Sequence, residues 1–300
     1  MKNSLIWGFA CIMITVFAAC TKADMIDDGN GTMDRISFAA FTAQQTDYDN
    51  IASDGNEAKA TRAALAEQIT KMDFAMFKLT DGKYSLYKKI EQENSSADFG
   101  SFALQNVAYG EYAVVAVGSK CSVHATINSP EDINFGGKVA ETFVAYLPLT
   151  VNASTSASQT LEMNRCTSKF TLWVTDEQPE GLKSMEFQIG NGATSFSAVT
   201  GLAKAADEVA RTSVIDISGN SGLTDRMYSF QTFLPATESE IIVVANALDA
   251  SGNAVFSQGF PDAPMKVNRQ TIYKGEFYGK GYDVAVKLND EWEPEVVIEF

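Results

Sequence analysis

From residue 34 onward the chain is a succession of short runs rich in Val, Ile, Phe, Tyr and Thr, separated by turns rich in Gly, Asn, Asp and Ser. This spacing is typical of an all-β protein. Asp81-Gly82 and Ser251-Gly252-Asn253 mark hairpin turns, because these residues tolerate a positive φ. A helix is predicted at Thr61–Ile69, an Ala-rich segment with Thr as its N-cap. The clearest strand runs are Arg35–Thr42, Lys71–Leu79, Tyr84–Lys88, Phe99–Leu104, Glu111–Gly118, Val139–Val151, Gln159–Met163, Lys169–Thr175, Lys183–Ile189, Ser213–Ile217, Met227–Leu234, Glu240–Leu248, Ala254–Ser257, Gln270–Tyr278, Tyr282–Leu288 and Glu291–Phe300.

Two of these runs are apolar at consecutive positions, Tyr112–Val117 and Ile241–Ala245, and they occupy similar places in the two halves of the chain. A strand that is apolar on both faces is expected in the centre of its sheet. With 300 residues and 45% hydrophobic content, the chain is long enough for two packed domains. The pattern predicts two tandem β-sandwich domains, 34–164 and 165–300.

The N-terminus has the pattern of a signal peptide, residues 1–19. Lys2 supplies a positive charge, the run from Leu5 to Phe17 is apolar, and Phe17-Ala18-Ala19-Cys20 resembles the lipobox of bacterial lipoproteins. This resemblance implies acylation of Cys20, a polar tether at residues 20–33 and an outer-membrane location. Ordinary secretion with an unmodified Cys20 remains the alternative.

Charge and composition argue against several classes of function. The formal net charge is −15 and there is no block of Lys and Arg, which argues against nucleic acid as a partner. A single histidine, His124, excludes any site that needs two imidazoles. We interpret His124 as a strand residue rather than a catalytic one. Carboxylate pairs such as Asp176-Glu177 are expected by chance among 38 acidic residues and are not interpreted as a glycosidase site. The sequence therefore predicts no enzymatic activity, no metal and no cofactor.

Cys121 and Cys166 are the remaining cysteines once the leader is removed and Cys20 is acylated. Export makes a disulfide between them chemically possible. Two separate buried thiols are the other interpretation, and the sequence leaves both open.

Several segments along the mature chain resemble fimbrillin-like proteins, the type V pilins. They are Lys59–Ala63, Met72–Phe77, Gly110–Gly118, Arg165–Leu172, Asp176–Pro179 and Asn268–Tyr278. The resemblance implies two transthyretin-like β-sandwich domains and export as a lipoprotein. It also implies a role as a structural subunit of a cell-surface fimbria that serves adhesion, with other fimbrial subunits as partners. The alternative is a non-polymerising surface lipoprotein that binds a glycan or a host ligand.

The same resemblance implies a processing step. In stalk members a trypsin-like protease cuts after an arginine, the first strand leaves, and the groove accepts a strand from the next subunit. Anchor members keep the lipid and are not cut. By resemblance Arg62 is the candidate cut site, and both roles stay open for this chain.

The last run, Glu291–Phe300, alternates between apolar and acidic residues, which predicts a strand with one buried face. Pro294 lacks an N–H, so this strand belongs at the edge of a sheet. It either completes its own sheet or serves as a donor strand for the next subunit. The residues predicted on its apolar face are Trp292, Pro294, Val296, Ile298 and Phe300.

Overall fold

A computed structural model describes residues 31–42, 62–279, 285–289 and 296–297. In these ranges the regular secondary structure is β-strand apart from one short helix, as the sequence predicts. In chain order the elements are β1 (Thr32–Thr42), α1 (Arg62–Gln68), β2 (Lys71–Thr80), β3 (Lys83–Glu93), β4 (Ser101–Ala108), β5 (Gly110–Ser119), β6 (Thr126–Ser129), β7 (Asp132–Asn134), β8 (Thr142–Val151), β9 (Ser158–Arg165), β10 (Ser168–Val174), β11 (Leu182–Gly190), β12 (Ser195–Phe196), β13 (Arg211–Asp216), β14 (Arg226–Thr232), β15 (Glu238–Asp249), β16 (Ala254–Lys266), β17 (Gln270–Gly275), β18 (Ala285–Asn289) and β19 (Val296–Val297).

The first half of the chain, β1–β9, contains a seven-stranded sheet in the order β3-β2-β5-β8-β9-β1-β4. β8 and β9 pair over only two residues each, Phe143 with Arg165 and Val144 with Asn164. At the two ends of the sheet, the Gln92 amide on β3 donates to the Ser101 carbonyl on β4 at 2.8 Å and accepts from the Gly100 N–H at 2.9 Å. The sheet is therefore barrel-like and nearly closed.

The second half, β10–β19, contains two sheets in the orders β14-β10-β17-β18-β19 and β13-β11-β15-β16. A further small sheet, β12-β7-β6, joins the halves, because β12 of the second half pairs with β7 of the first. The sequence pattern missed these three strands, which are two to four residues long.

The two halves repeat one topology of seven strands. Phe38 on β1 stacks on Phe102 of β4 with ring centroids 4.6 Å apart, and Phe170 on β10 stacks on Phe230 of β14 at 5.1 Å. β1 runs parallel to β9, and β10 runs parallel to β17. β18 and β19 have no counterpart in the described part of the first half. The equivalent strands are β1 and β10, β2 and β11, β3 and β13, β4 and β14, β5 and β15, β8 and β16, and β9 and β17.

Three hydrophobic cores hold the chain together. One lies in each half, and the third contains residues of both halves. β5 is buried on both faces, because Val114 faces the first-half core and Val115 faces the shared core. The expected central position of β5 and β15 is confirmed, since each has a neighbour on both sides. The outer face of β15 is not covered, however, and Ile242 there is 43% exposed.

The helix α1 agrees with the predicted Thr61–Ile69 to within one residue at each end, which is the usual precision of helix bounds. Leu65 and Ile69 are buried in the first-half core and hold α1 against it. Within the described residues, no helix has the length and apolar character that a membrane crossing requires.

Candidate functional site

β1 is the central strand of a three-strand unit in the first half. It pairs with β4 on one side and with β9 on the other, so its described backbone is bonded along both edges. Ile36 and Phe38 are almost completely buried and face the first-half core. Without β1, the edges of β4 and β9 would be free and this part of the core would meet solvent.

Arg62 is the first residue of α1. The residues that join it to β1, 43–61, lie outside the described part of the chain. Beyond Arg62 the helix is fixed by packing, since a Cβ on Gly100 would lie 2.5 Å from Cδ2 of Leu65. A cut after Arg62 would therefore separate β1 from a helix that stays attached to the core.

The C-terminal strand is described only at Val296–Val297, which form β19. They pair with β18 and form the outermost strand of their sheet. Trp292, Ile298 and Phe300 lie outside the described residues, and so does the predicted lipidation site, Cys20. The structure thus places part of the predicted strand at a sheet edge of its own chain.

Asp176 fixes the chain where it leaves β17 toward β18. Its carboxylate accepts hydrogen bonds from the N–H groups of Phe277 at 2.9 Å, Tyr278 at 2.7 Å and Gly279 at 2.7 Å. The sequence suggested only a chance pair of acidic residues at this position. The contact was missed because the partners are about a hundred residues away in sequence.

Arg165, the last residue of β9, forms a buried ion pair within the first half and a hydrogen bond to the second half. Its guanidinium donates to Glu141 Oε1 from Nε at 3.0 Å and from one terminal nitrogen at 2.6 Å. The other terminal nitrogen donates to Asn268 Oδ1 at 2.9 Å, and the group lies 4.8 Å from the Phe143 ring centroid. Burial lowers the pKa of Arg165, and the Glu141 carboxylate opposes that shift. The sequence suggested a junction here but not the ion pair.

Cys121 and Cys166 are two buried free thiols in the structure. The Cys166 Sγ donates to the Thr142 carbonyl at 3.5 Å, and burial raises the pKa of this thiol. The structure holds them as two separate thiols, and the pairing that export allows stays a prediction.

His124 lies in the loop between β5 and β6, so its expected position on a strand is wrong. Its Nδ1 is 2.9 Å from Asp73 Oδ1 on β2, and its Nε2 is 3.1 Å from Glu93 Oε1 on β3. Asp73 is fully buried and also accepts the Ala125 N–H at 2.9 Å. Burial raises the pKa of Asp73, while its bonds to Ala125 and His124 oppose that change. His124 therefore hydrogen-bonds a buried carboxylate and holds the β5–β6 loop against the sheet.

Replacing His124 with alanine is expected to lower the free energy of unfolding at neutral pH by about 1–3 kcal/mol, because Asp73 loses a partner while buried. Since the folded-state pKa of Asp73 is raised, its contribution to stability is present below its unfolded pKa and falls as pH rises. The deficit of the variant should therefore shrink toward acidic pH, where Asp73 is protonated. Urea denaturation across pH measures this.

The Asp73→Asn background is the control for this prediction. A neutral amide costs less to bury than a carboxylate when its hydrogen-bond partner is lost, so His124→Ala should cost less there. An equal loss in both backgrounds, or a deficit that does not change with pH, would contradict the proposed role of the Asp73 charge.

The contacts described above hold strands and loops in position. Among the described residues, no group of three or more His, Cys, Asp or Glu side chains is placed to hold a metal ion. The notable features are β1, which is paired on both edges, the strand pair β18–β19 at a sheet edge, and the hydrogen bonds of Arg165 between the halves.

The sequence matches a family model described as "Fimbrillin-A associated anchor proteins Mfa1 and Mfa2" over residues 39–296. The chain belongs to this family. Its members are fimbria-associated, adhesin-like surface proteins that associate with fimbrillin, rather than enzymes. The fimbrillin-like resemblance seen in the sequence is confirmed at this level.

Solved structures are similar to this chain. A candidate cell adhesion protein from Bacteroides ovatus is 13% identical, with a TM-score of 0.50 over 87% of this chain and 97% of that one. A fimbrial assembly protein from Parabacteroides distasonis is 14% identical, with a TM-score of 0.47 over 89% of this chain and 99% of that one. The similarity to the Bacteroides ovatus protein indicates a shared fold. A search of curated protein sequences finds no significant match.

Proposed function

We propose that this protein is a structural subunit of a cell-surface fimbria that assembles by strand exchange and serves cell adhesion. The observation that carries the proposal is β1. It is bonded along both edges and buried on one face, and the chain between it and α1 contains residues 43–61. A strand with these properties leaves a groove with two free edges when it is removed. Such a groove accepts a strand from another chain by β-augmentation.

The proposed architecture is two tandem transthyretin-like β-sandwich domains, 34–164 and 165–300. The repeated seven-strand topology supports it, because each half forms its own layers and its own core. In the described part of the chain, β12-β7-β6 is the one sheet with strands from both halves. This boundary falls at the last residue of β9, Arg165.

The proposed route to the surface is lipoprotein export. Residues 1–19 are the leader, Cys20 carries the acyl chains, and residues 20–33 are the tether that separates the lipid from the first domain. Two or more acyl chains give stable anchoring in the outer membrane. Other fimbrial subunits are the proposed partners, and a trypsin-like protease that cuts after Arg62 would mature the chain for the stalk.

Protein sheared from the cell surface tests this proposal. Immunogold labelling should follow the length or the base of fimbriae, and the sheared fraction should contain the protein. Its N-terminus decides the role: Ala63 indicates a cut stalk subunit, and an acylated Cys20 indicates an uncut anchor. Labelling of the cell surface away from any fimbria would contradict the proposal and favour the glycan-binding or host-binding alternative.

Deletion of Glu291–Phe300 tests the donor strand. The expected result is a chain that folds as a stable monomer but no longer enters fimbriae. Circular dichroism establishes folding before the assembly assay. A truncated protein that polymerises normally would rule out the donor role, and one that unfolds would assign the strand to its own domain.

A further inference from the structure

The repeated topology makes β9 and β17 equivalent strands in equivalent register. Ser37 N–H on β1 donates to the Ala157 carbonyl at 2.8 Å, and Lys169 N–H at β10 donates to the Arg269 carbonyl at 3.0 Å. Each bond lies just before the strand pair that follows, β1 with β9 and β10 with β17. Position 158 of the first half therefore corresponds to position 270 of the second.

The main-chain groups of β9 point in alternate directions. Because Ala157 faces β1, the N–H and C=O groups of Thr160 and Glu162 face the opposite edge. On β17 the corresponding residues are Ile272 and Lys274, and β18 pairs with that edge. On β9, no described strand pairs with residues 158–163 on this side, and the side chains of Thr160 and Glu162 are exposed.

At Ser158, the first residue of this edge, the main-chain groups are already hydrogen-bonded by a neighbouring side chain. Ser156 Oγ donates to the Ser158 carbonyl at 3.0 Å and accepts the Ser158 N–H at 3.3 Å. The open stretch is thus Thr160–Glu162, which is short. Short edges are one way in which proteins limit uncontrolled strand pairing.

We propose that this β9 edge accepts the strand Ala285–Asn289 from a second copy of the chain, antiparallel, while β1 stays in place. The proposal rests on the proposed function, since the C-terminal segment must leave its own sheet. It gives an uncut chain a contact that needs no vacated groove. The first half of one copy would bind the second half of the next, a heterologous contact that propagates.

The choice of occupant follows from two observations. β18 already pairs with the equivalent strand in its own chain, so its backbone suits an edge of this kind. Charge also differs between the two edges. Lys287 stands opposite Ile272, one diagonal step from Lys274, whereas the residue of β9 equivalent to Lys274 is Glu162. Opposite charges at diagonal positions favour pairing and like charges oppose it.

A pair of cysteines placed in register tests the proposal in the full chain at the cell surface. In Thr160→Cys/Lys287→Cys the two positions would face each other across copies, and mild oxidation should give a ladder of disulfide-linked oligomers. Mixing labelled and unlabelled chains shows whether the linked peptides come from different copies. Ile272→Cys/Lys287→Cys is the matched control, which reports pairing within one chain.

Charge reversal sharpens the test. In Ser158→Cys/Asn289→Cys, a second cysteine pair in the same register that keeps Lys287, Glu162→Lys should reduce the ladder about fivefold, because an attractive diagonal pair becomes repulsive. Glu240→Lys, an exposed glutamate on β15, should leave the ladder unchanged. Linkage of position 160 to a different protein would overturn the assignment to a second copy.

The result is separable from the proposed function. If the protein is in fimbriae but forms no ladder, while the Ile272→Cys/Lys287→Cys control closes within one chain, the β9 edge is not an acceptor. If the ladder forms but the protein is absent from fimbriae, the fimbrial role fails and the strand contact stands.

Discussion

Replacing Glu141 with alanine is expected to lower the free energy of unfolding by about 3–5 kcal/mol. The Arg165 side chain is only 1% exposed and donates two hydrogen bonds to the Glu141 carboxylate. Removal of the carboxylate would leave a buried cation without its counter-charge. Arg165 also bonds Asn268 in the second half, so the loss weakens the contact between the halves. Urea denaturation of the mature chain measures the change.

Two variants serve as controls for this expectation. Lys120 also pairs with Glu141, at 2.5 Å, but its side chain is 46% exposed, so Lys120→Ala should cost less than about 1 kcal/mol. Glu141→Leu combined with Arg165→Met should recover most of the stability, because apolar residues can replace a buried ion pair. If Glu141→Ala lowers the free energy of unfolding no more than Lys120→Ala does, the Arg165–Glu141 ion pair does not stabilise the fold strongly.

Phe233→Ala is expected to destabilise the protein by about 3–5 kcal/mol and to affect both halves. Phe233 is fully buried, and its ring stacks on Phe196 at 4.4 Å. Both belong to the second half, but the shared core also contains Phe77 and Val115 of the first. A large apolar interface makes two units move and unfold together.

Hydrogen exchange under native conditions tests this coupling. Phe233→Ala should accelerate exchange in Ala113–Val117 of β5, which lies in the other half of the chain. Phe187→Ala is the control, because Phe187 is fully buried in the second-half core alone. If Phe233→Ala leaves β5 protected, the halves are independent and the shared core does not couple them.

Local sequence patterns were enough to predict much of the fold. Runs rich in aliphatic and aromatic residues, bounded by turn residues, predicted strands such as β2 and β5 with bounds close to those observed. The helix α1 followed from an Ala-rich segment with a capping residue. The small sheet β12-β7-β6 could not be predicted in this way, since its strands are only two to four residues long and β12 pairs with a strand about sixty residues away.

The sequence by itself determined most of the strands and the kinship with fimbrillin-associated proteins, but not the short strands β6, β7 and β12. The tertiary structure decided which residues meet. His124 reaches Asp73 across 51 residues, and Arg165 reaches Asn268 across 103. A residue pattern records how deeply a side chain is buried, but its partner depends on how distant strands register when the sheets close. For that reason a histidine that the sequence placed on a strand holds a buried carboxylate from a loop.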